Sequence, residues 1–214
     1  IEDDIELSPT YLTTLLALSD WAETFGDVGT VQVWNVESGT QEQLQPHLGQ
    51  VELTNRHFVT YCITKRVWTS IKDMLYAYEA RYLLNCRYSH RPHYRIRWFM
   101  RRLLKKGRTS PEGDLLNPPV EAVSNPFPSV RWRSTPTSQD AITSLALYLA
   151  GLHRLTTRVS HAHYYGVEGV HCTPELYDMM GFNNQGWWQW SDTPSSFTMR
   201  YQDDDGRWLS SVYR

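Results

Sequence analysis

Four side chains in the second half of the chain have the types and spacing that a metal ion could bind. His161 and His163 lie two residues apart, so a strand would place both imidazoles on the same side. Glu168 follows after four intervening residues, and His171 comes shortly after it. Imidazole and carboxylate groups ligate zinc, iron and manganese, so one hypothesis is a metal-dependent enzyme built on these four residues.

The spacing H-x-H-x4-E of His161, His163 and Glu168 resembles the first metal motif of the cupin family. The resemblance covers residues 161–168 and implies that these three side chains ligate a metal ion. Leu155 and Glu175 occupy the positions where that family has glycines, and no second cupin motif follows. Because the rest of the pattern is absent, we predict no metal and no other cofactor. The histidines are then loop or interface residues that titrate near neutral pH.

Other catalytic patterns are missing from the sequence. It has no G-x-S-x-G motif, no Walker loop and no G-x-G-x-x-G motif. Cys172 follows His171 directly, but adjacent side chains rarely form a catalytic thiol–imidazole pair. The acidic run at 203–206 has Val212 where an EF-hand loop needs Glu, so we interpret it as a hairpin turn. We therefore predict that the chain is not an enzyme.

Charge is strongly sorted along the chain, although the net charge is only −2. Residues 1–55 contain ten acidic side chains and no Lys or Arg, whereas residues 56–108 contain fourteen of the 21 basic side chains and two acidic ones. Seventeen of the 21 basic residues are Arg, whose planar guanidinium suits phosphate and carboxylate. Such asymmetry indicates a polyanionic partner or charge-matched self-association.

The end of the basic block is the candidate nucleic-acid surface. Its Arg and Lys side chains would neutralise phosphates, and Tyr94 and Trp98 would stack on unpaired bases. No RNA-recognition signature accompanies them, so recognition of base sequence is not predicted. The residues that we predict to contact phosphate are Arg91, Arg95, Arg97, Arg101, Arg102, Lys105, Lys106 and Arg108.

Two other interpretations of the basic segment remain open. Its charges could instead meet the acidic N-terminal residues, within one subunit or between two. A basic amphipathic helix can also lie on a membrane surface. In the first case the apolar stripe formed by Ile96, Phe99, Met100, Leu103 and Leu104 would be the packed face of the helix.

Hydrophobic periodicity predicts four helices that position these residues, at 9–25, 55–86, 93–106 and 138–156. A short helix is predicted to begin at Thr173-Pro174-Glu175 and to end at Gly181. Minor β structure is expected near 30–36, and a hairpin near 196–213. The fold class predicted is therefore α+β and predominantly helical, with a helix cluster, a minor β hairpin and a long Pro-rich extended segment.

Three regions follow from this pattern. Residues 1–106 form an acidic-then-basic helical region, and residues 107–137 form a Pro-rich arm or linker. Residues 138–214 form a helix followed by an aromatic-rich β tail. Because Trp132 lies in the Pro-rich segment, an arm laid across a neighbour is favoured over a bare linker.

The remaining composition limits location and function class. Three widely spaced cysteines make no disulfide framework, so an intracellular, reducing compartment or a virion is expected. No apolar run approaches a membrane span. We predict a self-assembling structural protein that contacts nucleic acid, expected to be RNA, such as a viral capsid, coat or nucleoprotein subunit. The alternatives are an accessory subunit of a large ribonucleoprotein or organellar complex, and the metal-dependent enzyme.

Overall fold

A computed structural model describes residues 4–54, 60–105, 137–167, 172–202 and 208–211 of the 214-residue chain. Most of the predicted Pro-rich segment at 107–137 lies outside these residues. So do Lys106, Arg108, Glu168 and His171, and the whole of the acidic turn predicted at 203–206.

The described residues form eight strands and six α-helices. The strands are β1 (Ile5–Leu7), β2 (Val28–Gln32), β3 (Gln50–Leu53), β4 (Tyr61–Ile63), β5 (His153–Thr157), β6 (Ala162–Tyr164), β7 (Thr198–Gln202) and β8 (Trp208–Ser211). The helices are α1 (Tyr11–Glu23), α2 (Gln41–Leu44), α3 (Lys65–Tyr82), α4 (His93–Lys105), α5 (Gln139–Leu149) and α6 (Pro174–Met179). Single 3-10 turns lie at Gln45–His47, Tyr88–His90 and Phe182–Asn184.

A mixed sheet organises the described part of the chain. Its six strands lie in the order β4-β2-β5-β3-β7-β8, and β1 pairs separately with β6. The central strands β2 and β5 are parallel, and β5 is antiparallel to β3. The sheet therefore interleaves strands from the N-terminal and C-terminal parts of the chain.

Helix α1 covers one face of this sheet. Successive side chains of a strand point to opposite faces, so alternate residues of a strand can pack against α1. Val31 of β2, Val51 of β3 and Leu155 of β5 are buried in one cluster with Leu15 and Leu18 of α1. Burial of apolar surface is the main favourable term in folding, so this cluster is a main contribution to stability.

Helices α3, α4 and α5 lie on the opposite face. Arg154 of β5 points away from α1, and its Nη1 donates a hydrogen bond of 3.2 Å to Ser144 Oγ of α5. Ile71 of α3 packs with Leu147 of α5 and Ile63 of β4. The sheet is therefore a layer between α1 and a bundle of three helices.

Local sequence signals account for several helix ends. Ser138 caps α5, since its Oγ accepts the Ala141 N–H, and Gly151 follows the helix with a φ of 72°. Thr173 caps α6, and Gly181 ends it with a φ of 80°. The predicted short helix from Thr173 to Gly181 is thus confirmed.

The prediction of a predominantly helical fold with only a minor β hairpin is wrong, because the described residues build a six-stranded mixed sheet. Strand β2 overlaps the β structure expected near 30–36, and β7 and β8 form a hairpin within 196–213. Strands β3, β4 and β5 were missed, because they have only three to five residues. The predicted helix 138–156 overlaps β5 after the break at Gly151, and the predicted helix 55–86 contains β4 before α3. Runs this short carry too few residues for a period of two to be distinguished from a helical period.

Candidate nucleic-acid interface

Helix α4 uses its apolar face to pack against the rest of the bundle. Ile96 and Met100 are fully buried, and Phe99 is nearly so. They form one cluster with Tyr78 of α3 and Ile142 of α5. The amphipathic stripe predicted from the sequence is therefore the packed face of this helix.

The opposite face of α4 presents cationic and aromatic side chains to solvent. Tyr94 is 70% exposed and Trp98 is 55% exposed, which is unusual for side chains of this size. Arg95, Arg101 and Arg102 are also exposed. These five side chains, which we call the cationic face, are interleaved along the helix.

Within the cationic face, the guanidinium group of Arg102 lies over the indole ring of Trp98. The guanidinium carbon of Arg102 lies 5.6 Å from the ring centroid of Trp98, one helical turn away. This distance is within the range of a cation–π contact, and both side chains are exposed.

Arg91 has a structural role at the start of α4. Its Nε donates to the Thr137 carbonyl at 3.0 Å, and its Nη1 donates to the Tyr88 carbonyl at 2.9 Å. The guanidinium also lies 4.2 Å from the ring centroid of Tyr88. Tyr88 in turn accepts a hydrogen bond from the Gln139 N–H at 2.9 Å through its hydroxyl. Arg91 thus fixes the entry of α4 against the beginning of α5.

The other predicted contact residues have different environments. Arg97 is half-buried, in contrast to the exposed Arg95. The pKa of His93 is lowered, first by burial and then by the positive charges of Arg91 and Arg97. Lys105 ends the helix. The structure therefore brings Tyr94, Arg95, Trp98, Arg101 and Arg102 together on one surface.

Several acidic side chains of the N-terminal region pair with arginines that lie outside α4. A carboxylate oxygen of Glu37 lies 2.6 Å from Arg158 Nη2, and one of Glu52 lies 2.7 Å from Arg200 Nε. Glu23 Oε1 lies 3.7 Å from Arg66 Nη2. The contacts to Arg158 and Arg200 show that part of the acidic block is used in the sheet.

The pairs Glu37–Arg158 and Glu52–Arg200 join into a network on the face of the sheet opposite α1, which we call the sheet network. Glu37 also lies 3.6 Å from Arg200 Nη1, so it links both arginines. Asn35 Nδ2 donates to Glu52 Oε1 at 3.0 Å and to the Thr157 carbonyl at 3.1 Å. The network comprises Asn35, Glu37, Glu52, Arg158 and Arg200.

Sequence reasoning missed the sheet network because its members come from four separate parts of the chain. Asn35 and Glu37 follow β2, Glu52 lies in β3, Arg158 follows β5, and Arg200 lies in β7. One signal was available: Phe197, Met199 and Tyr201 alternate along the predicted hairpin. That alternation places Arg200 on the other face of the strand.

Of the four candidate metal ligands, the structure describes His161 and His163. His161 is fully buried, its Nδ1 lies 3.3 Å from Thr10 Oγ1, and burial lowers its pKa to about 4. The prediction that His161 titrates near neutral pH is therefore wrong. His163 lies in β6 opposite Glu6, with its ring 5.5 Å from that of Trp187. The described residues contain no group of three or more His, Cys, Asp or Glu side chains arranged to hold a metal ion.

The comparisons with known proteins return nothing: no family model, no curated protein and no solved structure matches the chain. Among the helices of the described residues, none combines the length and the apolar character that crossing a bilayer requires. Function is therefore inferred from the surfaces of the molecule, of which the cationic face of α4 is the most distinctive.

Proposed function

We propose that this chain is a non-enzymatic structural protein that self-associates and contacts nucleic acid without reading base sequence. A viral capsid, coat or nucleoprotein subunit has this combination of properties. The observation that carries the proposal is the division of α4 into a buried apolar face and an exposed cationic face. The fold buries the first face, and the second is exposed to solvent.

The chemistry of the cationic face favours a phosphate backbone. Arg95, Arg101 and Arg102 offer planar donors that match phosphate oxygens, and all three are exposed. Neutralising phosphates releases counterions, which gives affinity that depends on salt and not on sequence. No base-reading motif accompanies these side chains, so contact with the backbone is the mode that we propose.

Self-association is supported by the distribution of surface charge between the two helical layers. On the face that carries α1, Asp20 and Glu23 are exposed, together with Leu12 and Leu16. The cationic face lies in the layer on the other side of the sheet. Complementary surfaces on different sides of one subunit suit head-to-tail contacts, which build rings when the rotation between subunits closes and helical filaments when it does not.

The first experiment measures the native mass of the purified protein by light scattering on a sizing column, with nucleic-acid and protein absorbance followed across the peak. A large, homogeneous particle that contains nucleic acid supports the proposal. A clean monomer with protein absorbance alone overturns it and favours an accessory subunit of a larger complex.

The second experiment assigns binding to the cationic face. Replacing Arg95, Arg101 and Arg102 together by Gln should abolish co-purification of nucleic acid and lower the slope of log affinity against log salt by about 2 to 3, since each phosphate contact contributes about 0.7 to 0.9. The control variant replaces Lys65, Lys72 and Arg87 by Gln and removes the same charge outside the cationic face. Lys65 and Arg87 are exposed, and Lys72 is half-buried. Equal losses in both variants would show that net charge, not this face, determines binding.

A further inference from the structure

Two aromatic side chains and one arginine form a single row on the cationic face. Tyr94, Trp98 and Arg102 follow one another at intervals of four residues, so they lie on the same side of α4. Successive members are about 6 Å apart along the helix axis, from a rise of about 1.5 Å per residue. The guanidinium of Arg102 already lies over the ring of Trp98.

From this row we infer that the nucleic acid bound by α4 is single-stranded, and that Tyr94 and Trp98 each stack on one unpaired base. The inference rests on the proposed function, because it names the class of nucleic acid that the same face binds. Every base has a flat π-face, so stacking on aromatic side chains tolerates any sequence. The row therefore favours a single strand over a duplex and does not distinguish one base sequence from another.

The spacing of the two rings argues against a duplex. Bases in a duplex are stacked about 3.4 Å apart along each strand, so no base offers a free face to a protein ring. Residues 94 and 98 are separated by a rise of about 6 Å along the axis of α4, which does not match that spacing of about 3.4 Å, so bases stacked on Tyr94 and on Trp98 would be unstacked from one another. Single strands can splay their bases in this way, whereas double-stranded RNA is recognised mostly by its shape and backbone.

The buried face of α4 argues against a lipid surface as the ligand. A helix that lies in a membrane interface inserts its apolar face among the acyl chains. Here Ile96, Phe99 and Met100 are buried against α3 and α5 and are not available for insertion. What remains outside is a mixture of rings and guanidinium groups, which suits bases and phosphates.

The test compares an unstructured, labelled single strand of about 16 nucleotides, the upper end of the site size of one binding module, with a duplex of the same length. Affinity is measured by fluorescence anisotropy at about 0.15 M salt. Wild-type protein should prefer the single strand by at least about tenfold. Trp98→Ala should weaken single-strand binding about tenfold and leave duplex binding unchanged, because the loss of one stacked base costs that much.

Matched variants make the result specific. Trp98→Phe keeps a ring and should retain most of the affinity, whereas Tyr76→Ala removes an exposed ring from α3 and should have no effect. Circular dichroism of each variant checks that the fold is intact. Equal affinity for strand and duplex, or no effect of Trp98→Ala and Tyr94→Ala, would overturn the inference.

The outcomes also separate this inference from the proposed function. If the arginine variant loses binding but the aromatic variants do not, nucleic-acid contact stands and single-strand selection falls. If wild-type protein binds neither nucleic acid, the proposed function falls with the inference. Binding to anionic phospholipid vesicles in place of either nucleic acid would overturn both.

Discussion

The arginines of the sheet network and those of the cationic face have the same chemistry but opposite environments. Arg200 is 9% exposed at its side chain and lies against two carboxylates. Arg95, Arg101 and Arg102 are exposed on a helix whose other face is buried. A buried charge needs partners inside the protein, whereas an exposed charge is stabilised by water and remains available to a ligand.

This difference separates charges that serve the fold from charges that can serve a partner. Removing one member of a buried pair leaves the other charged and poorly solvated, which strongly destabilises a protein. Removing an exposed charge changes stability little. The comparison can therefore be tested by measuring unfolding free energies of variants in the two regions.

The largest effect is expected when Glu52 is replaced by Gln. The change keeps the size of the side chain but leaves the buried Arg200 without the carboxylate that lies 2.7 Å from its Nε. Removing the sole partner of a buried charge costs about 3 to 5 kcal/mol. Because Glu37 still lies 3.6 Å from Arg200 Nη1, a loss of about 2 to 3 kcal/mol is expected here. Urea unfolding, followed by circular dichroism, measures the change.

A control variant and a repaired variant sharpen that result. Asp73→Asn removes a carboxylate from an exposed position of α3 and should change stability little. Replacing Glu52 by Leu and Arg200 by Met together should restore most of the lost stability, because a packed apolar pair can replace a buried ion pair. A Glu52→Gln variant as stable as wild type would contradict the distinction between the two regions.

A smaller effect is expected at high pH from Tyr78, which lies beneath the cationic face. Its hydroxyl donates to the Thr137 carbonyl at 3.0 Å, and burial raises its pKa to about 12. A raised pKa in the folded state means that this stabilisation is complete below pH of about 10 and is lost as pH rises towards 12. The loss should reach about 2 kcal/mol.

Ultraviolet absorbance of tyrosinate and urea unfolding at several alkaline pH values check this prediction. Tyr78→Phe should cost about 1 kcal/mol at neutral pH, through the lost hydrogen bond, and should flatten the alkaline decline. If the decline is unchanged in that variant, other groups must cause it. The bundle under the cationic face would then not depend on this contact.

The N-terminal cap of α5 should give an effect of about 1 kcal/mol. Ser138 Oγ accepts the Ala141 N–H at 3.2 Å, and Ser138→Ala removes this hydrogen bond. Ser138→Asn is the matched control, since Asn is an equally good cap. Thermal unfolding of both variants measures the difference, and equal stability of the Ala and Asn variants would contradict the assignment.

Sequence periodicity predicted the helices better than the sheet. The stripe of Ile96, Phe99 and Met100 recurs with the helical period over several turns, so both the existence of α4 and its packed face could be predicted. Strands β3 and β5 are too short for their period to be recognised, and each is stabilised by partners far away in the chain. The sheet therefore depends on tertiary contacts that no local pattern records.

The same reasoning explains which site residues could be predicted. Trp98 and Arg102 are close because four residues separate them on a helix, which sequence shows directly. Glu52 and Arg200 are close only because β3 and β7 are paired in the folded sheet. Arg91 resembles its neighbours in sequence, but its hydrogen bonds to Thr137 and Tyr88 give it a structural role.

The smallest effect on stability is expected from the variant in which Arg95, Arg101 and Arg102 are replaced by Gln. Gln is nearly as good a helix former as Arg, and the apolar face of α4 is unchanged, so each replacement should alter stability by less than about 0.5 kcal/mol. Urea unfolding at low and high salt measures this directly. A loss as large as that of Glu52→Gln would show that the cationic face holds the bundle together.

A stable variant that no longer binds nucleic acid would show that these arginines are kept for a partner, because the fold does not need them.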